Sequence, residues 1–272
     1  QNWEALAHAY PAFIQGMIHK FLNASTFDGY NPYRVTKDGF DWETIEPNNP
    51  WAYIGYWGDH QVIYLLKFLE FTEKHYPGKL AGIFTQECFV YANVPYRIKP
   101  YNAILKDPKN TIAYDYANEE KIETRKKTLG ADGALLASAT DTVYKVNFVE
   151  KILVVLLAKL SNFIPEAGIW MNTQRPEWND ANNALVGNGV SMVTLYYLRR
   201  FLSFFRETLA TTSTTSFALS SEMHRFFEAL HKAFEQHSSL VEGSISDEAR
   251  KTLMDALGQA ASNYREGIYS NG

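Results

Sequence analysis

Apolar residues recur at helical spacing along most of this chain, and loops rich in Pro, Asn, Asp and Gly separate the helical stretches. The pattern predicts helices over 3–22, 50–75, 79–87, 117–128, 140–163, 187–210, 219–238 and 246–265. Short extended segments are predicted only near 89–98 and 110–116. The expected fold class is therefore all-α, with helical hairpins arranged around a common centre.

The predicted helices differ in how much of their surface is apolar. The second half of 140–163 is apolar almost all round, which is typical of a helix buried on several sides. The last two helices are amphipathic and charged, as outer helices are, and a Thr- and Ser-rich run over 211–216 precedes them. We therefore expect a helical-hairpin domain over 1–210 that carries the site, and a C-terminal helical pair over 211–272 packed on the same domain.

Composition narrows the classes of function. The 272 residues include 46% hydrophobic and 15% aromatic residues, enough for a sizeable core, and the formal net charge is −4. A net negative chain is a poor partner for nucleic acid, and no apolar run reaches the ~20 residues of a membrane span. The single cysteine, Cys88, excludes an intrachain disulfide but leaves the compartment, cytoplasm or periplasm, open. Because the sequence starts at Gln1, we expect either a removed leader or a piece of a longer chain.

The richest chemistry lies between Arg175 and Asn183, just before a glycine-punctuated helix. This stretch contains four consecutive residues of which only the tryptophan is apolar: Glu177, Trp178, Asn179 and Asp180. Breaking a glycosidic bond requires a carboxylic acid that protonates the leaving oxygen, and an aromatic face and amide groups help to hold the sugar. The same residues also fit a plainer interpretation, in which the Asp and Asn cap a helix and the Trp fills a core.

A second group of aromatic and polar residues opens the helix predicted over 50–75. Tyr56 and Trp57 are followed by Asp59 and Gln61, and Gly58 separates the rings from the aspartate. An aspartate that accepts from two adjacent hydroxyls, beside aromatic rings, is suited to hold a pyranose ring. Alternatively, the rings belong to the core and Asp59 caps the helix.

In their order, and in the glycine-bearing turn that follows the second, these two segments resemble motifs of glycoside hydrolase family 94, the cellobiose and chitobiose phosphorylases, and more loosely of the six-hairpin glycosidase superfamily. The family has an aromatic segment followed by Arg-Asp-x-x-Gln, and later Asp-Trp-Asn-Asp before a glycine and a helix. The resemblance implies an (α/α) toroid of helical hairpins. Because fewer helices are predicted than a complete (α/α)6 barrel has, we expect an incomplete toroid or a part of a larger barrel.

The resemblance also implies roles for individual residues. Asp180 matches the general acid, and Glu177 stands where the family has an aspartate, so either carboxyl is a candidate proton donor. The residues expected to contact the sugar are Asp59, Trp57, Tyr56, Gln61, Trp178, Asn179 and Arg175. Gly58 replaces the family's arginine, so the sugar pocket must differ from the family's, and no phosphate-binding residues can be matched after Phe205.

The expected activity is cleavage of a glycosidic bond by inversion, on an oligosaccharide or glycoside substrate. Two carboxyls so close in sequence are unsuited to be a complete inverting pair, whose members stand ~6.5–9.5 Å apart. The base must then come from elsewhere, or inorganic phosphate replaces water as co-substrate; no cofactor, metal, nucleic acid or membrane is expected. The alternative is a non-catalytic carbohydrate-binding or scaffolding helical domain.

Overall fold

Helices and short antiparallel strands alternate along this protein. The computed structural model describes residues 2–31, 34–37, 39–42, 48–49, 61–172, 189–241 and 243–271. About 60% of the structure is helical and 12% is strand. The expectation of an all-α toroid of helical hairpins, whole or partial, is therefore wrong, and the fold is mixed α/β.

The helices are long near the C-terminus and interrupted near the N-terminus. They are α1 (Asn2–Ala9), α2 (Ile14–Asn23), α3 (Leu66–His75), α4 (Tyr101–Lys106), α5 (Tyr116–Leu129), α6 (Phe148–Leu160), α7 (Met192–Ala210), α8 (Ser221–Gln236) and α9 (Asp247–Asn271). A π-helical turn, Gln61–Leu65, leads directly into α3. Single turns of 3₁₀-helix cover Pro11–Phe13, Ala81–Ile83, Gly130–Ala134 and Ser238–Val241.

The strands form small antiparallel sheets. Three of these sheets are two-stranded: β1 (Arg34–Thr36) with β2 (Gly39–Asp41), β3 (Phe89–Val90) with β6 (Lys145–Val146), and β4 (Tyr96–Ile98) with β5 (Ile112–Tyr114). A three-stranded sheet has the order β7 (Phe163–Ile164), β8 (Gly168–Trp170), β9 (Val190–Ser191). Each strand is too short to produce the alternating pattern by which a half-buried strand is recognised in a sequence.

Helix boundaries depart from the prediction where proline and local caps intervene. Pro11 follows the end of α1, so the stretch predicted as one helix over 3–22 is divided by a 3₁₀ turn. The stretch predicted as a helix over 79–87 contains only the turn Ala81–Ile83. Helix α6 starts later than predicted because the Asn147 side chain accepts from the Glu150 N–H and caps the helix there.

Helix α6 lies at the centre of the hydrophobic core, as its sequence predicts. Ile152, Val154, Val155 and Leu156 are fully buried. Helices α2, α3, α7, α8 and α9 contribute residues to the same continuous cluster, which therefore includes residues from both sides of the 211–216 connector. None of the described helices is long and apolar enough to cross a membrane.

Candidate functional site

The residues that the sequence singles out fall almost entirely outside the described ranges. Of the predicted set, Tyr56, Trp57, Asp59, Arg175, Glu177, Trp178, Asn179 and Asp180 lie in 50–60 and 173–188, for which no placement is described. Gln61 is the exception: its backbone begins the π-helical turn that leads into α3. What the structure does provide is the frame to which both segments attach.

The two ends of the 173–188 segment are held next to each other. Trp170 of β8 pairs with Val190 of β9, and the Met171 N–H donates to the Gly189 carbonyl at 3.2 Å. The chain therefore leaves the described fold at the end of β8 and re-enters it at the adjacent start of β9. The segment that carries Glu177 and Asp180 begins and ends at this ladder.

Helix α7 starts at the foot of the same ladder. Ser191 ends β9 and caps α7, because its Oγ accepts from the Thr194 N–H at 3.0 Å. A serine in this position stabilises a helix end by about 1 kcal/mol. The cap fixes where the helix begins, so the start of α7 marks the place where the 173–188 segment returns.

Helices α3 and α7 pack side by side and run in the same direction. The Arg200 guanidinium of α7 donates to both carboxylate oxygens of Glu70 in α3, at 2.7 and 2.5 Å. One turn earlier on each helix, Lys67 and Tyr197 interact electrostatically. Since both pairs are offset by the same number of residues in the same sense, the N-terminal ends of the two helices lie together.

The π-helical turn extends α3 backwards along α7, against which it also packs. The 50–60 segment ends at Gln61, the first residue of that turn, and the 173–188 segment ends at Gly189, just before α7. The two segments that carry the predicted chemistry therefore rejoin the described fold at the same end of the helix pair.

A buried hydrogen-bond group fixes Asn172, the last described residue before the 173–188 segment. Its Nδ2 donates to the Tyr30 hydroxyl at 2.7 Å, and that hydroxyl lies 3.0 Å from its Oδ1. The Asn172 main-chain carbonyl accepts from the Thr111 hydroxyl at 2.7 Å. Side chain and main chain of Asn172 are thus both held by hydrogen bonds at the point where the segment begins.

Tyr30, which anchors Asn172, is itself almost completely buried. Burial raises the pKa of its hydroxyl to about 12, so the hydroxyl stays protonated and available as a donor. The Lys159 ammonium lies 4.8 Å from the centre of its ring. These contacts assign Tyr30 to positioning rather than to proton transfer.

The described aromatic residues of the 23–49 loop, which follows α2, have largely structural roles. Tyr30 belongs to a second core cluster with Tyr96, and Phe40, Trp42 and Trp170 pack against that cluster. The rings of Trp42 and Tyr96 meet edge to face at 5.8 Å. This aromatic group supports the same sheet edge from which the 173–188 segment leaves.

Asp28, in the same loop, also has a structural role. Its carboxylate accepts from the hydroxyls of Thr26 and Tyr269, each at 2.5 Å. It therefore ties the loop to α9. Burial, with the Asp28 charge as the next cause, raises the pKa of the Tyr269 hydroxyl well above its ordinary value.

Sequence reasoning did not identify Tyr30 and Asn172 as partners, because they lie 142 residues apart. The available signal was weak: a tyrosine in a long loop, and an asparagine three residues before Arg175.

Within the part of the chain that the structure describes, no group of three His, Cys, Asp or Glu side chains is arranged to hold a metal ion. No family model matches the chain, and no curated protein matches its sequence.

Proposed function

We propose that this protein cleaves a glycosidic bond with inversion, with Asp180 or Glu177 as the general acid. The observation that carries the proposal is the shared end of α3 and α7, at which both motif-bearing segments rejoin the fold. A glycosidase needs groups distant in sequence to act on one sugar ring, and this frame is suited to that requirement. The resemblance of the two segments to family 94 motifs supports cleavage of a glycosidic bond as the reaction.

The proposed roles of the residues follow from the chemistry of the glycosidic bond. The acid must stay protonated near neutral pH, which a position beside Trp178 and a second carboxyl group favours. Asp59 accepts from sugar hydroxyls, while Tyr56, Trp57 and Trp178 offer apolar faces to the ring. Asn179, Gln61 and Arg175 supply further hydrogen bonds. The attacking group is water activated by a base, or inorganic phosphate.

The experiment is a screen of di- and oligosaccharides against the full chain, with and without phosphate. Released reducing sugar and sugar phosphate are followed separately, so that hydrolysis and phosphorolysis are distinguished. On a substrate that is turned over, replacing the acid is expected to lower kcat by about 10²- to 10⁴-fold. Asp180→Asn and Glu177→Gln identify which carboxyl this is, and Asp59→Asn is expected to raise KM.

Asp132→Asn is the matched control, since Asp132 is an exposed carboxylate in the turn Gly130–Ala134 and belongs to neither segment. The proposal is overturned if Asp180→Asn and Glu177→Gln each keep the activity of this control. It is also overturned if the chain binds a saccharide but turns none over, in which case a non-catalytic carbohydrate-binding domain replaces it.

A further inference from the structure

A separate cavity lies between the N-terminal ends of α6 and α8 and the face of α9. Its volume is about 250 Å³, and the residues that matter for its chemistry are Phe27, Tyr91, Tyr144, Glu150, Glu222 and Tyr264. Among the described residues that line it, none is Lys, Arg or His. The cavity thus combines two carboxylates with several aromatic rings.

Glu150 is the buried carboxylate of this pair, with 5% of its surface exposed. One carboxylate oxygen accepts from the Ser220 hydroxyl and the other from the Ser220 N–H, each at 2.8 Å. Ser220 in turn caps α8, so Glu150 is fixed where α8 begins. Burial raises the pKa of the Glu150 carboxyl above its ordinary value.

Glu222 is the second carboxylate and lies in the first turn of α8. Its charge is shared with Arg225, whose guanidinium lies 3.5 Å away and whose side chain is 71% exposed. The Ser221 hydroxyl donates to the other carboxylate oxygen of Glu222 at 3.0 Å, and Arg225 itself does not line the cavity. The described lining thus offers two carboxylates and no basic side chain to a molecule in the cavity.

The Tyr91 hydroxyl gives an independent sign that the cavity takes a ligand. Tyr91 is 2% exposed, and its hydroxyl has no hydrogen-bond partner in the described part of the chain. A buried hydroxyl without a partner costs about 1–3 kcal/mol, so such groups usually meet a partner in the working state. A bound donor or acceptor inside the cavity would satisfy it.

Lys151, the buried neighbour of Glu150 in sequence, is engaged outside the cavity lining, and burial lowers its pKa well below the ordinary value. The Lys151 ammonium donates to the Ser25 carbonyl at 3.1 Å and lies 3.6 Å from the centre of the Tyr91 ring. It therefore occupies a face of that ring rather than the space between Glu150 and Glu222. A cationic group that enters the cavity would meet carboxylates and aromatic rings, the two environments that attract organic cations.

We propose that this cavity binds a small organic molecule that carries a primary ammonium group. The ammonium donates to Glu150 and Glu222, the rings of Tyr144 and Tyr264 cover its apolar body, and the Tyr91 hydroxyl completes its polar contacts. The assignment rests on residues outside the 50–60 and 173–188 segments. The proposed ammonium site is therefore tested independently of the glycosidic activity.

The test is calorimetric titration of the full chain with three probes of one shape: n-butylammonium, butan-1-ol and butyrate. They differ only in the charge and hydrogen bonding of the head group. We expect saturable one-to-one binding of n-butylammonium, with the alcohol and the carboxylate at least tenfold weaker. Equal affinity for the alcohol, preference for butyrate, or no binding of n-butylammonium would each overturn the assignment.

Variants locate the binding. Glu222→Gln and Glu150→Gln are each expected to weaken n-butylammonium binding at least tenfold, and Tyr91→Phe severalfold. Glu228→Gln, an exposed glutamate on the same helix as Glu222, is the matched control and leaves the affinity unchanged. If Glu150→Gln disturbs the α8 cap, seen as a lower melting temperature, Glu222→Gln decides. Wild-type affinity in that variant refutes the proposed site.

Discussion

Gly29 is the position at which one added methyl group should matter most. It has a φ of +93° and lies in the turn that joins Thr26 to Tyr30. A Cβ built on it would lie 2.5 Å from the Ala158 Cβ and 2.7 Å from the Val154 carbonyl oxygen. Both contacts belong to the central helix α6, most of whose residues are buried.

The cost of Gly29→Ala can be worked from these two features. A residue with a side chain in the left-handed region costs about 1–2 kcal/mol relative to glycine. Forcing a methyl group into a packed core costs about 1–3 kcal/mol more. We therefore expect a loss of about 2–5 kcal/mol, a large part of the roughly 5–15 kcal/mol by which domains are stable.

Gly16→Ala is the matched control, because nothing lies within 4 Å of a Cβ built on Gly16, in the exposed face of α2. Alanine in a helix interior is expected to add about 0.5–1 kcal/mol. Urea unfolding followed by tryptophan fluorescence measures both variants. If the free energy of unfolding of Gly29→Ala lies within about 0.5 kcal/mol of the wild-type value, the close packing of this turn against α6 is refuted.

Two further predictions concern buried polar groups. Tyr30→Phe removes both hydrogen bonds to the Asn172 side chain and should lower the free energy of unfolding by about 1–3 kcal/mol. The control Tyr196→Phe changes an exposed tyrosine of α7 and should change the free energy of unfolding by under about 0.5 kcal/mol. Equal effects of the two substitutions would contradict the anchoring role of Tyr30. Because burial raises the pKa of folded Glu150 above 4.5, the folded protein holds this proton more tightly than the unfolded chain, so stability should fall as pH rises above 4.5. Glu150→Gln should remove that part of the slope in urea unfolding at several pH values, and Glu228→Gln should not; an unchanged slope in Glu150→Gln would count against burial of the charge.

The part of the fold that the sequence predicts well is the part set by local pattern. Helix α6 is recognisable because a run that is apolar all round is stable only when it is enclosed. The charged, amphipathic helices α8 and α9 are recognisable for the opposite reason. The short extended segments near 89–98 and 110–116 are also present, as β3, β4 and β5.

What the sequence did not predict depends on pairing across distance. β8 and β9 together have five residues, and they are strands only because Trp170 meets Val190 across the 173–188 segment. Such short pieces carry no periodic signal, so an all-α fold was expected. The anchor between Tyr30 and Asn172 is likewise invisible to any local window. The predicted site residues in 50–60 and 173–188 remain predictions.

The ladder between β8 and β9 has a consequence for how this protein can change. Since a hydrogen bond joins Met171 to Gly189, the two chain ends stay together whatever connects them, and any flexible connection would cost only about 0.6 kcal/mol more for each doubling of its length. The ladder is a fixed attachment point for the chain that it joins. Different recognition chemistries could be grafted there while the helices beneath keep their packing.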